Sequence, residues 1–360
     1  MLHIALPALR FRSVLFAAAM AVLGCVPPAA AQVADPVSGL DAVYAQTLPL
    51  AGESLLLDIT RTEAGRLVAV GERGHILTSE DQGQSWQQQP VPTRATLTSV
   101  FFIDPANGWA AGHDSVILRT QDGGRHWQEV YADPADERPI LDLWFKDADQ
   151  GYAIGAYGLF LATDDGGTSW QPVDFEPATM VDADGNGDDP WAAAEAEVWV
   201  DYHLNQIAAT DNGRVYIAAE AGNIYRSDDG CRSWLSLPSP YEGSFYGSLP
   251  LGPKTLLLFG LRGHLFRSEN AGATWTEIPT ATQATLNNGI RLQDGRIALA
   301  GLAGTLLISA DNGFSFTAYP QKNRAGIARV VQASDGALIL IGEAGVRRIA
   351  LPEVKSGEAP

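Results

Sequence analysis

The sequence predicts an all-β protein, a seven-bladed β-propeller, on three observations. An octapeptide returns along the chain, as SEDQGQSW (79–86), TQDGGRHW (120–127), TDDGGTSW (163–170), SDDGCRSW (227–234), SENAGATW (268–275) and SADNGFSF (309–316). Its terminal aromatics, Trp86, Trp127, Trp170, Trp234, Trp275 and Phe316, are spaced by 41, 43, 64, 41 and 41 residues, and a period near 40 marks a propeller or solenoid. Short runs of Val, Ile, Leu, Thr and aromatic residues alternate with Gly, Asp and Asn clusters, the pattern of many short strands and almost no helix.

Each repeat reads as four strands. An upstream strand comes first, as in SLLLDIT (54–60), TLTSVFFI (96–103), ILDLWFK (140–146) and LNQIAAT (204–210). A strand, tight Gly turn and strand follow, as in GRLVAVGERGHILTS (65–79) and GRIALAGLAGTLLIS (295–309), and the octapeptide leads into a short fourth strand. Four-stranded antiparallel units stacked about an axis make a propeller. The seventh repeat, 325–352, offers GIARVVQA, GALILIGEAG and VRRIALP but no octapeptide. Its missing strand is expected from the N-terminal stretch 42–50, which would pair with the last blade and cover its edge.

The octapeptide is the Asp box, Ser/Thr-x-Asp-x-Gly-x-x-Trp, and its chemistry is local. The acids Asp81, Asp122, Asp165, Asp229 and Asp311, with Asn270 in the fifth copy, are placed to accept N–H groups of their own turn. The Gly supplies a backbone conformation that a Cβ hinders, and Cys231 replaces it once. The aromatic fills the gap between blades, a burial worth about 1.5–3 kcal/mol for a large apolar side chain. The boxes are architecture rather than catalytic machinery.

The N-terminus, MLHIALPALRFRSVLFAAAMAVLGCVPPAAAQ, places two arginines before an apolar run too short to span a bilayer and ends in Ala29, Ala30 and Ala31. This reads as an export signal over 1–31, with a soluble periplasmic product over 32–352 and a tail at 353–360. The alternative is lipidation at Cys25, since Val22, Leu23 and Gly24 precede it as in a lipoprotein processing site. No later segment is long and apolar enough for a membrane helix. After cleavage at Ala31, Cys231 has no intramolecular disulfide partner. The formal charge of −18 excludes phosphate backbones and anionic lipid as natural partners. The expected protein is a monomer that does not bind nucleic acid.

Three regions are candidates for function. The turns between second and third strands lie on the face opposite the boxes and carry Glu72, Arg73, His113, Asp114, Tyr157, Glu220, Arg262 and Glu343; the alternative for each is a solvated rim. An insertion over 171–202 explains the 64-residue spacing and contains Asp182, Asp184, Asn186 and Asp188 at alternate positions, with Gly185 and Gly187 between. That spacing suits a hard cation such as Ca²⁺, although Ala193 stands where a bidentate Glu is usual, and a solvated acidic loop is the alternative. His203 and Asn205 then lead into an innermost strand beside the channel.

No HExxH, P-loop or GxSxG occurs, and no cofactor is required by any motif. Asp boxes also occur in sialidases, which grip a carboxylate with several arginines and use a Tyr/Glu pair. Arg73, Arg262, Tyr157 and Tyr246 are present, but no spacing selects a triad. An Asp-box glycoside hydrolase or carbohydrate-binding protein is therefore the second reading. The whole mature chain, with box repeats of about 40 residues, turns such as GERG, GEAG and GLAG, and an export signal, resembles the photosystem II assembly and stability factor family, especially its non-photosynthetic bacterial branch. The resemblance implies a non-catalytic propeller that docks on a membrane protein complex, for this branch an RND-type exporter. The photosynthetic members are similar in carrying an arginine cluster on one face, whereas the corresponding turns here contribute Arg73 and Arg262 among several acids.

Overall fold

A computed structural model of the chain describes residues 43–179 and 202–353. Those residues form seven antiparallel sheets in a ring, and their only helices are six single turns of 3-10 helix. The inner strands are Leu56–Arg61, Leu97–Phe102, Ile140–Phe145, Leu204–Ala209, Phe245–Pro250, Leu286–Arg291 and Ile327–Gln332. Each breaks register with its second strand after its first residue, so the bulged residue bends the strand where the blades converge. Blade one continues through Leu67–Gly71, Ile76–Ser79 and Gln87–Gln88, and blades two to six repeat that order.

Second strands such as Leu67–Gly71, Val215–Ala219 and Leu338–Gly342 are buried at every residue. They lie between neighbouring blades with both faces covered, so they read as continuous apolar runs rather than alternating ones. The core is correspondingly divided into clusters at the joints. Val68, Val70 and Ile76 of blade one meet Leu97, Val100 and Leu118 of blade two, and Leu56, Ile59 and Ala69 meet Ala333, Ile339 and Ile341 of blade seven. The second of these closes the ring.

Closure differs from the sequence expectation in one respect. Blade seven has three strands, Ile327–Gln332, Leu338–Gly342 and Gly345–Ile349, and residues 43–50 of the stretch 42–50 form none. They run instead beside blade one, whose two-residue outer strand leaves polar groups to satisfy. Ala45 N–H donates to the Val91 carbonyl (2.9 Å), Leu48 N–H to Gln88 Oε1 (2.9 Å), and Arg94 Nε to the Tyr44 carbonyl (2.9 Å). Side chains join blade seven to blade one: Arg348 Nε donates to the Gln82 carbonyl (3.1 Å), and Ser334 N–H to Gln82 Oε1 (2.7 Å).

Blade four departs in the other direction. The chain leaving blade three adds Ala178–Thr179 as a fifth strand, parallel to Leu235–Ser236 at the outer edge. The candidate Ca²⁺ residues Asp182, Asp184, Asn186 and Asp188 lie outside the described residues, as do the segment 1–31 with Cys25 and the tail beyond Glu353.

Candidate functional site

The six boxes repeat one hydrogen-bond circuit. In the third, Thr163 Oγ1 donates to Asp165 Oδ1 (2.8 Å) and accepts from Gly167 N–H (2.9 Å), while Asp165 Oδ1 accepts the N–H groups of Thr168 and Ser169 (both 2.9 Å) and Oδ2 accepts Ser169 Oγ (2.7 Å). Asn270 keeps the acceptor role and donates Nδ2 to Thr274 Oγ1 (2.8 Å). Partial burial raises the carboxyls of Asp122, Asp165 and Asp229, but the bonds from these turns outweigh it and bring them down to about 2. The two residues after each box acid hold positive φ, and Cys231 occupies one such position at φ 67°. Trp127, Trp170 and Trp234 are buried, whereas Trp86, Trp275 and Phe316 are half-buried.

A second periodicity was not apparent in the sequence. A donor on one blade reaches the carbonyl of the residue after the box acid on the next. Arg226 Nη1 donates to Ala271 (3.0 Å), Arg267 Nη1 to Asn312 (2.8 Å), Tyr152 Oη to Gly230 (3.0 Å), and Arg66 to Gly123. The Arg348 to Gln82 bond at the closing joint is the same contact.

The channel wall holds a third. The third residues of the inner strands are Asp58, Ser99, Asp142, Gln206, Gly247, Asn288 and Arg329, and all but Gly247 offer a polar side chain to the ring. Asp58 Oδ2 accepts Val100 N–H (2.8 Å), Asp142 Oδ2 accepts Ile207 N–H (3.0 Å), Gln206 Oε1 accepts Ser248 N–H (2.7 Å), and Asn288 Oδ1 accepts Val330 N–H (3.0 Å). Arg329 Nε lies 3.1 Å from Asp58 Oδ1, and its Nη2 lies 4.0 Å from Asp142 Oδ1. Burial raises both carboxyls, Asp142 to about 6, against the pull of Arg329. The acids are otherwise engaged: Ser99 Oγ donates to Asp142 Oδ1 (2.8 Å), and Ile59 N–H donates to Asp58 Oδ1 (2.9 Å). This belt clasps blades to one another. It was not legible in the sequence, because the inner strands carry other polar residues, Thr98, Asn205 and Asn287 among them, and Gly247 interrupts the series.

The residues singled out on the turns fall into two groups. Glu72, Glu220 and Glu343 face inward enough to accept backbone N–H groups of Leu55 (3.4 Å), His203 (3.2 Å) and Gly326 (2.7 Å), where the chain enters an inner strand. Asn205 Nδ2 likewise donates to the Phe245 carbonyl of the next blade (2.8 Å). Arg73, Asp114, Tyr157 and Arg262 occupy the left-handed second position of their turns, with His113 one residue before Asp114. They stand on blades one, two, three and five, so the sialidase-like set Arg73, Arg262 and Tyr157 is spread around the rim, while Tyr246 belongs to an inner strand. The structure does bring together Tyr157, His203 and Glu220: the Tyr157 ring meets His203 edge to face at 4.8 Å, and His203 Nδ1 lies 3.3 Å from Glu220 Oε1.

Fold and box circuitry define a seven-bladed Asp-box propeller whose channel acids are committed to the ring. The model of the family described as photosynthesis system II assembly factor YCF48 matches residues 38–135, 78–180 and 133–299, and the chain belongs to this family. It is similar to the photosystem II assembly protein Ycf48 of Synechococcus sp. (strain JA-3-3Ab), 44% identical over 45 residues, 12% of this chain and 14% of that protein. It is also similar to the photosystem II assembly lipoprotein Ycf48 of Synechococcus sp. (strain CC9902), 33% identical over 73 residues, 20% of this chain and 22% of that protein. These alignments thus span less than a quarter of either relative. A solved structure of YCF48 bound to D1 peptide superposes with a TM-score of 0.64 at 18% identity, covering 83% of this chain and 94% of that one. A streptogramin B lyase structure superposes equally well, with a TM-score of 0.65 at 14% identity over 84% of this chain and 95% of that one. The fold alone therefore does not separate binding from catalysis.

Proposed function

We propose that this protein is a non-catalytic assembly or accessory factor that docks on a membrane protein complex, with an RND-type exporter as the finer reading. Family membership across residues 38–299 carries the proposal, and the commitment of Asp58 and Asp142 to Arg329 and backbone N–H groups supports it. A propeller of the same family has been solved bound to D1 peptide, which is consistent with a polypeptide client drawn from a membrane complex. For the second reading, a glycoside hydrolase or carbohydrate-binding protein, the described residues Arg73, Arg262 and Tyr157 stand apart on blades one, five and three. Export is part of the proposal, in soluble form or anchored through Cys25, as the name of one relative, an assembly lipoprotein, suggests. Calcium at 182–188 stays a proposal: binding would raise Tm in millimolar Ca²⁺ through preference for the folded state, and an unchanged melting curve would remove it. The test of function is crosslinking in intact cells followed by mass spectrometry. One recurrent membrane complex is expected; repeated recovery of none would overturn the reading, and hydrolysis of a fluorogenic glycoside would replace it.

A further inference from the structure

We propose that the turn-bearing face docks its client through one arc, over blades two to four, and that the client segment is a polypeptide rich in basic and apolar side chains. The inference rests on the platform reading and adds a surface and a partner chemistry to it. Eight large apolar side chains stand exposed among the described residues, and seven of them lie on this face, Phe314 of the sixth box being the exception. Of these seven, Tyr157, Val173 and Tyr202 gather at blades three and four, whereas Val43, Tyr44 and Leu50 run beside blade one and Leu302 stands alone on blade six; a contiguous group marks an interaction surface, and scattered single residues do not.

Charge divides the face into two arcs. The described turns and joining segments of blades two to four carry Asp114, Asp133, Asp136, Glu137, Asp174, Glu176, Glu220 and Glu242 against one cation, Arg138, which is paired with Asp136 at 2.6 Å. The remaining arc carries Arg73, Arg94, Arg262, Lys322 and Arg324 against Glu53, Glu72 and Glu343. Two exposed aromatics, Tyr157 and Tyr202, sit within the acidic arc, and Tyr44 stands on the other beside Arg94. Tyr157 is 56% exposed at φ 51°, a conformation unfavourable for a bulky residue. It is held beside Tyr202, whose carbonyl accepts Gly158 N–H at 3.0 Å. Val173 lies exposed on the same arc. A surface with this charge repels anionic lipid and attracts Lys- and Arg-bearing polypeptide, with the tyrosines supplying apolar and cation–π contact.

The experiment places a photoreactive phenylalanine analogue at Tyr157, Leu302 or Phe314 in the full chain, crosslinks in cells and maps the joined peptides. The expected result is a membrane protein joined from position 157 through an extramembrane stretch containing Lys or Arg. A synthetic peptide of that stretch should bind the purified protein, about tenfold more weakly after Tyr157→Asn, which tolerates the left-handed backbone, and after Asp174→Lys with Glu176→Lys, with melting curves unchanged. Joining of a membrane protein only from 302 or 314 overturns the arc and leaves the platform reading intact. Failure at all three positions overturns both. Binding of the purified protein to phosphatidylglycerol vesicles, unchanged by Tyr157→Asn, would also overturn the proposal.

Discussion

At the scale of single residues, the box acids and one histidine impose opposite demands from those of the channel acids. With folded carboxyls near 2 and unfolded ones near 3.8, Asp122, Asp165 and Asp229 bind protons more weakly in the folded state. Their stabilisation is full above about pH 4 and is lost as pH falls toward 2. Replacing all three with Asn should flatten the slope of unfolding free energy against pH in that window, measured by urea titration at several pH values. Asp165→Ala should cost about 1–2 kcal/mol, the scale of lost hydrogen bonds, and Asp165→Asn less, because Asn270 already fills this role in the fifth box. His75 is fully buried with neither ring nitrogen paired, and burial lowers its pKa below 6.5. Its neutral form is the one that fits, so its contribution falls as pH drops below the unfolded value. His75→Leu should match or exceed the parent protein in urea midpoint at pH 7.5 and lose less stability than the parent at pH 5.5.

At the scale of the blade, the repeated parts were legible because local chemistry enforces them. Every box needs the same acceptor, the same left-handed backbone and the same aromatic, so period and strand order could be read directly. The joints were less legible. Arg226, Arg267 and Arg348 hold box carbonyls on the following blade from one register position of the third strand, but blade three uses Tyr152 and blade one uses Arg66, which lie elsewhere in the repeat, so the series is broken in the sequence. The fourth strand assigned to residues 42–50 failed for a related reason: the short outer strand of blade one offered Gln88 and Val91 as nearer partners. Likewise, three glutamates on the turns have an internal acceptor role that composition cannot distinguish from a solvated rim. The acidic arc required the three-dimensional order of segments far apart in sequence. An inter-blade clamp can be tested at one joint. Arg226→Met should destabilise by about 1–3 kcal/mol, and hydrogen exchange should rise first in Val215–Ala219 and its neighbours in blade five.

At the scale of the whole ring, Arg329 is the position where closure and charge coincide. It comes from the last inner strand, pairs with Asp58 on the first and approaches Asp142 on the third, so it gathers blades that share no strand. Its side chain is 18% exposed and the acids' side chains 10% each, which leaves little water to compensate if it is removed. Arg329→Met should therefore strand two buried carboxyls and cost about 3–5 kcal/mol, the scale of breaking a buried ion pair from one side. The sign of the pH response identifies the cause. Folded pKa values raised above 3.8 mean that the folded state binds protons more tightly, so stability increases as pH falls through the folded value toward the unfolded one. In the variant, lacking the opposing cation, this gain should be larger than in the parent, and the urea midpoint should recover between pH 7 and 5. Arg329→Met combined with Asp58→Asn removes one charge from each side and should restore much of the loss at pH 7. If the single variant is destabilised equally at pH 7 and 5, lost packing rather than uncompensated charge explains the effect, and the ring closes through its apolar joint between Leu56 and Ile341 and the Gln82 hydrogen bonds without help from Arg329.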